Sequence, residues 1–172
     1  MANPFYGQNK ADDALDWAKN ATSGDAFGTV EVAGANEQYG TAANPMSKSD
    51  LNRTITCGNA TGPDIFLPAV SSSDAGMWLK IKVGVTLTTD AIITAASGDL
   101  LIGSVFLKPD ADGATTPVYF AADGSDDLII TLNGGTKGGK IGSELFLQVN
   151  KNGYWNVEGY LVGTATLVTP FS

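Results

Sequence analysis

The clearest structural signal in this 172-residue chain is the stretch Met77-Trp78-Leu79-Lys80-Ile81-Lys82-Val83. Large apolar side chains alternate with two lysines, and successive side chains of a β-strand point to opposite faces of a sheet. The pattern therefore predicts a strand whose Leu79 and Ile81 face a core. Trp78 and the lysines are expected on the other, wetter face.

Short segments of the same kind recur from residue 53 onward, separated by clusters of Gly, Asp, Asn and Ser. They are 53–58, 64–70, 77–86, 91–95, 100–107, 118–122, 127–132, 145–150 and 154–162, and 165–168 would make a tenth. No helical pattern long enough to connect parallel strands follows residue 20, which argues against a βαβ fold. The sequence predicts an all-β domain over 51–172, an antiparallel β-sandwich or jelly roll of nine or ten short strands.

The last two long segments are predicted to form a hairpin. Asn152-Gly153 lies between them, and Asn-Gly readily supplies the two positive φ angles of a type I′ turn. Within the second segment, Trp155 shares a face with Val157, opposite Tyr154. We therefore expect Trp155 to belong to the core.

Residues 1–50 differ from the rest because small and polar residues dominate and strand patterns are scarce. We interpret them as an N-terminal arm with one short helix near 10–19, capped by Asn9, with Asp12 at its positive end and Lys19 at its negative end. An isolated helix of about ten residues is marginal in water. It is expected to be ordered by docking, either on another surface or on its own domain.

The composition excludes most enzyme classes. The chain has no His and a single Cys, Cys57, so Ser-His-Asp and Cys-His catalysis and an ordinary zinc site are ruled out within one chain. Cys57 lies in an apolar alternation and is interpreted as a core residue. We predict no enzyme activity, no catalytic residue, no metal and no cofactor.

The charge balance excludes other partners. Ten basic and eighteen acidic residues give a net charge of -8 and a pI near 4.3, the wrong sign for binding nucleic acid. No apolar run is long enough for a membrane span, and the N-terminus lacks signal-peptide features, so folding in a cytoplasm is expected.

Several acidic and glycine-rich stretches resemble sites only in part. Residues 110–113 read Asp-Ala-Asp-Gly, like the start of a calcium loop, but the twelfth position is Ala121 instead of an acid. The acidic turn 123–127, and turn aspartates such as Asp74 and Asp99, are interpreted as solvated. Residues 134–140 lack the spacing of a phosphate-binding loop and are expected to form a hairpin loop.

A set of short motifs between Thr54 and Val162 is similar to a pattern of tailed-phage surface proteins, in particular the capsid decoration, or cement, proteins. The motifs are Ile65-Phe66-Leu67-Pro68-Ala69, Gly76 with the strand Trp78 to Val83, Gly98-Asp99-Leu100-Leu101-Ile102-Gly103 and Gly153-Tyr154-Trp155-Asn156-Val157. The stretch from Thr54 to Val162 covers about two thirds of the chain.

This resemblance implies a structural protein that binds the major capsid protein on the outside of a virion, commonly as a homotrimer, and bridges neighbouring capsid subunits. It would be made in the host cytoplasm. The arm would bury extra area across such a junction, with Phe5, Tyr6, Leu15 and Trp17 as anchors, because aromatic side chains dominate interface energetics.

Two alternatives remain open. A tail or fibre component would contact a host receptor in place of the capsid. A carbohydrate-binding β-sandwich module would be monomeric and would expose aromatic residues on one sheet face.

Overall fold

The structure is a computed structural model and describes residues 29–32, 38–110, 116–164 and 166–172. This part of the chain contains eleven strands and two single turns of 3-10 helix, Lys48–Asp50 and Ser72–Asp74, so the all-β prediction is confirmed. The strands are β1 Thr29–Val32, β2 Gln38–Tyr39, β3 Arg53–Cys57, β4 Asp64–Phe66, β5 Trp78–Val83, β6 Ala91–Thr94, β7 Leu101–Pro109, β8 Val118–Asp123, β9 Ile129–Leu132, β10 Glu144–Val149 and β11 Trp155–Gly163.

The strands form two sheets. The larger sheet has seven strands in the order β1-β3-β5-β10-β11-β7-β8, and the smaller has four in the order β2-β4-β6-β9. Both sheets begin before residue 51, in the segment interpreted as the arm. The predicted helix near 10–19 lies outside the described residues, and residues 166–168 contain no strand.

The prediction of an antiparallel fold is wrong, because both sheets are mixed. Strands β1, β3 and β5 are parallel neighbours in the larger sheet, and β2, β4 and β6 are parallel neighbours in the smaller one. Thr29 pairs with Thr54, and Thr54 pairs with Lys80. The chain therefore returns to the next position in the larger sheet after 25 residues and again after 26 residues. The crossover between parallel strands is a strand of the opposite sheet, which is why the absence of helices did not exclude parallel pairing.

After β6 the chain changes to mainly antiparallel pairing, in β5-β10-β11, β7-β8 and β6-β9, with β7 and β11 parallel. The predicted β10–β11 hairpin is confirmed, but its turn is not type I′. Gly153 has a φ of 82°, whereas Asn152 is not in the left-handed region. The side-chain oxygen of Asn150 accepts from the amides of Asn152 and Tyr154 at 2.8 and 3.1 Å, which holds a three-residue loop in place.

The core lies between the two sheets. On β5 the burial alternates as predicted, with Leu79, Ile81 and Val83 buried and the lysines half-buried. Trp155 and Cys57 are both fully buried, so their core assignments are confirmed. In the described part of the chain no helix is long and apolar enough to cross a membrane.

Candidate interaction face

The larger sheet presents a second set of side chains on the face turned away from the core. Five of these are aromatic and lie on five of its strands; we call them the aromatic face. They are Trp78 on β5, Phe106 on β7, Tyr119 on β8, Phe146 on β10 and Tyr160 on β11. Successive side chains of a strand point to opposite faces of the sheet, and the residue that follows each ring in the sequence faces the core, so the rings face outward.

Strand register brings the rings into contact. Tyr160 lies opposite Phe106, and Phe106 lies opposite Tyr119. The ring centroids of Phe106 are 5.0 Å from those of Tyr119 and 5.8 Å from those of Tyr160, and Trp78 and Phe146 form a separate pair at 5.8 Å. These separations are typical of favourable aromatic pairs.

The aromatic face is accessible to a partner. Tyr119 is 72% exposed and Tyr160 41%, while Trp78, Phe106 and Phe146 are half-buried. Contiguous exposed apolar surface on a folded chain is characteristic of interaction sites. The described core is formed by side chains of the inner face, so core packing does not explain why these rings lie on the outer face.

Charged side chains are interleaved with the rings. Glu144 lies opposite Lys82 on one side and Tyr160 on the other. Its carboxylate contacts the Nζ atoms of Lys80 at 2.7 Å and Lys82 at 3.3 Å, and the Lys80 hydrogen bond is the main cause of its lowered pKa. Nζ of Lys108 lies 5.7 Å from the Tyr160 ring centroid, within cation–π range.

The relief of this face is shallow. A depression of about 180 Å³ lies between Lys80, Glu144, Phe146, Glu158 and Tyr160. This is smaller than the roughly 300–1,000 Å³ of a site that encloses a small molecule. The geometry therefore favours contact with a broad surface or stacking of a ring-shaped group over enclosure of a ligand.

The face ends at β8, which is one of the two edge strands of the larger sheet. Among the described residues β7 is its only strand partner, and Val118, Tyr119 and Ala121 are exposed. The strand contains no Lys or Pro, the residues that commonly protect an edge from pairing. At the edge of the smaller sheet, by contrast, residues 170–172 hydrogen-bond along β9.

The acidic turn after β8 is held by its own hydrogen bonds. Carboxylate oxygens of Asp123, Asp126 and Asp127 lie within 4.8 Å of one another. The Ser125 hydroxyl and amide donate to Asp123 at 2.6 and 2.8 Å, and these bonds lower its pKa. The Asp123 amide donates to Asp127. In the other predicted turn, Asp110 pairs with Lys140, and residues 111–113 lie outside the described chain.

An apolar groove of about 350 Å³ lies on the smaller sheet, lined mainly by Pro45, Phe66, Ala95, Leu128 and Ile129. Its size matches that of a small-molecule pocket, but such pockets also carry a few convergent polar groups that orient the ligand. Thr41, Thr94 and Ser97 are the hydroxyl-bearing residues at its wall. None of the described residues that line the groove is charged.

Asp74 and Asp99 were expected in solvated turns, and this prediction is wrong. They are 7% and 9% exposed. Asp74 accepts from Lys48 at 2.7 Å and from the Ser71 amide at 2.8 Å, and the Lys48 bond lowers its pKa. Asp99 accepts from the Val70 amide at 2.8 Å, but desolvation outweighs this bond and raises its pKa. The sequence does not show the contacts with Lys48 and Val70, because these partners are 26 and 29 residues away from Asp74 and Asp99.

These aspartates lie where several of the short motifs singled out in the sequence meet. The loop after Leu67-Pro68 contains Val70 and Ser71, which bond to Asp99 and Asp74. A Cβ on Gly153 would lie 2.9 Å from the Ser71 backbone, so the closing hairpin packs against the same loop. The Trp155 amide donates to the Leu100 carbonyl at 3.1 Å. Distant motifs thus form one packed end of the sandwich.

The predicted assembly residues Phe5, Tyr6, Leu15 and Trp17 lie outside the described residues, so that interface stays a prediction. Sequence reasoning included aromatic residues on one sheet face only as an alternative, and it did not identify the five rings of the aromatic face. Strand alternation placed Trp78 outward, but only the order of strands in the sheet shows which rings are neighbours. Comparison of the chain with protein-family models, with curated proteins and with solved structures finds no match.

Proposed function

We propose that this chain is a non-enzymatic structural protein of a tailed-phage virion, which binds the major capsid protein on the outside of the head and bridges neighbouring capsid subunits. The observation that carries the proposal is the aromatic face beside the open edge of β8, a broad contact surface and not an enclosed reaction site. The virion location is proposed from the sequence motifs.

The packed end of the sandwich supports the use of those motifs. A similarity scattered over unrelated loops would have little meaning, whereas here the Leu-Pro loop, the Gly-Asp turn and the closing Trp strand contact one another. The three motifs therefore belong to one three-dimensional unit, which is the kind of feature that members of a structural family have in common.

The proposed mechanism is avidity. Each copy contributes a modest contact, and the symmetry of a shell repeats it many times, so weak single contacts sum to a firm bridge. Half-buried aromatic rings are suited to this role because they bury large area at low conformational cost. The net charge of -8 keeps the exposed remainder solvated.

Co-sedimentation with heads that lack this protein tests the proposal. Wild-type protein is expected to pellet with the heads, and Tyr160→Ser is expected to weaken pelleting because it removes the central ring of the aromatic face. Tyr154→Ser is the matched control, since Tyr154 is similarly exposed but lies in the hairpin loop. Failure of the wild-type protein to pellet would contradict the proposal, and binding to tails or host cells would favour a tail or fibre component.

The N-terminal segment is tested in the same assay. Deleting residues 1–20, which contain Phe5, Tyr6, Leu15 and Trp17, should weaken pelleting while the β domain stays folded, as judged by thermal unfolding. Unchanged pelleting would remove this segment from the mechanism. Light scattering checks the homotrimer, which remains a prediction: a trimer has three times the 17.7 kDa mass of one chain.

A glycan-binding module is the second candidate, favoured by the same rings. Exposed Tyr160 has the carboxylates of Glu144 and Glu158 beside it, and aromatic rings flanked by hydrogen-bonding groups suit a sugar ring. A panel of immobilised glycans separates the two functions. Saturable binding that Tyr160→Ser abolishes, by a monomer that ignores heads, would replace the virion proposal.

A further inference from the structure

The edge of β8, which pairs with no strand other than β7 in the described part of the chain, has features of a self-complementary contact. It is a six-residue strand at the end of the larger sheet, and its sequence Val-Tyr-Phe-Ala-Ala-Asp has one charged residue, at its last position. Unprotected edges of this kind present backbone donors and acceptors to any further strand. We propose that β8 pairs antiparallel with β8 of a second copy across a two-fold axis, which joins the two larger sheets into one.

Sheet geometry limits the register of such a pair. Directly opposite residues of an antiparallel pair have side chains on the same face, so the axis must pass through a residue and not between two. Centred on Ala121, the pairing places Tyr119 opposite Asp123 of the second copy and Phe120 opposite Ala122. The outward and inward faces of both sheets are then continuous.

Charge distribution along the strand favours the antiparallel arrangement. Leu107 pairs with Val118, so Lys108 lies at the beginning of β8, while Asp123, Asp126 and Asp127 lie at its end. A two-fold axis sets the beginning of one strand against the end of the other. Lys108 of each copy, one strand inward on β7, therefore lies at the same end of the pair as the acidic turn of its partner, and this attraction offsets part of the repulsion between two chains of charge -8.

The contact is expected to be weak in solution. A pair of strands that are matched over five residues, with one exposed tyrosine on each side, buries less than the roughly 1,200 Å² of a standard stable interface. Association should therefore depend on protein concentration and weaken with added salt. The pairing does not rest on the virion function, and a protein that never binds heads would still form it.

Cross-linking provides the positive test. At the two-fold axis the Cβ atoms of opposite residues are about 4.5–5.5 Å apart, close to the separation that a disulfide needs. Ala121→Cys is expected to form a disulfide-linked dimer under mild oxidation. Ser104→Cys is the control, because Ser104 is exposed on the same face directly across from Ala121, but on β7. Equal cross-linking of both variants would overturn edge pairing.

Charge insertion provides the loss-of-function test. Ala121→Lys sets two ammonium groups side by side at the axis and is expected to abolish the concentration-dependent rise in the mass measured by light scattering, whether the separate unit is a monomer or the predicted trimer. Ser104→Lys should leave the mass unchanged. A wild-type protein with no concentration-dependent association at roughly 1 mM, the weak end of the affinity scale, would overturn the proposal, as would an Ala121→Lys variant with unchanged mass.

Discussion

The two faces of the larger sheet differ in what their side chains do, although both carry large apolar groups. The described inner face is mainly aliphatic, with Trp155 and Phe120 as its aromatic residues, and Leu79, Leu145 and Leu147 on its central strands are almost completely buried. The outer face carries aromatic rings that remain partly exposed, with Tyr119 and Tyr160 the most accessible. Leucine and isoleucine fill the inside, whereas rings and charges cover the outside.

This difference separates folding from binding. Aliphatic side chains that are shielded from water stabilise the fold through burial and close packing. Rings that stay accessible contribute less to the fold, and aromatic side chains are enriched where proteins contact partners. The comparison predicts that substitutions on the inner face reduce stability and that those on the outer face reduce binding.

The largest effect is expected for Leu147→Ala. Leu147 is fully buried on β10, between Leu79 of β5 and Val157 of β11. Its truncation removes buried area and leaves a cavity, so the free energy of unfolding should fall by about 2–5 kcal/mol. Urea denaturation followed by circular dichroism measures the loss. Gln148→Ala, one residue along on the outer face, is the control, and an equal loss there would break the comparison.

Cys57 tests the inner face by chemistry. Burial raises the pKa of its thiol to about 11, and thiolate is the reactive form, so both access and ionisation oppose labelling. A disulfide reagent at pH 8 should leave the native protein unlabelled and should label one thiol in denaturant. Thr56→Cys places a second thiol on the outer face of β3, and it should react in the native state. Rapid native labelling of the wild type would show that the core opens readily.

The individual strands could be predicted from the sequence, but their neighbours could not. The alternation in Trp78–Val83 depends on local residues alone, as does the Asn152-Gly153 hairpin. The parallel pairs β3-β5 and β4-β6 join residues about 26 to 28 positions apart, Thr54 with Lys80 and Asp64 with Ile92, with a strand of the other sheet between them. No turn residue marks such a pairing. The sequence analysis considered only helices as connections between parallel strands, and it therefore predicted antiparallel pairing.

The candidate site could be predicted only in part for the same reason. The outward position of Trp78 followed from its own strand, but its contact with Phe146 depends on β5 and β10 being neighbours. Likewise, the sequence around Asp74 predicts a solvated turn residue, whereas in the structure its carboxylate lies 2.7 Å from Nζ of Lys48, a residue of another loop. Long-range strand order creates both the aromatic face and the buried aspartates.

Tyr119→Ala should have a much smaller effect on stability than Leu147→Ala. Tyr119 is 72% exposed, and its main described contact is the Phe106 ring at 5.0 Å. Loss of an aromatic pair costs about 0.5–1.5 kcal/mol. Urea denaturation, performed at low protein concentration so that association does not contribute, measures it. A loss as large as that of Leu147→Ala would mean that the outer rings belong to the fold and are not reserved for a partner.

The smallest effect is expected for Glu144→Gln on the outer face. Glu144 has a lowered pKa in the folded state, chiefly through Lys80, so its contribution to stability is present above its unfolded pKa and is lost as pH falls through the folded pKa. Because Lys80, Lys82 and Glu144 are all substantially exposed, water screens the pairs, and the loss at neutral pH should stay below about 1 kcal/mol. Urea denaturation of wild type and variant at low salt and at roughly 1 M salt, where the Debye length is about 3 Å, measures the difference. The two proteins should converge at high salt and at acidic pH, and a difference that persists under both conditions would show that Glu144 stabilises the sheet by packing and not by charge.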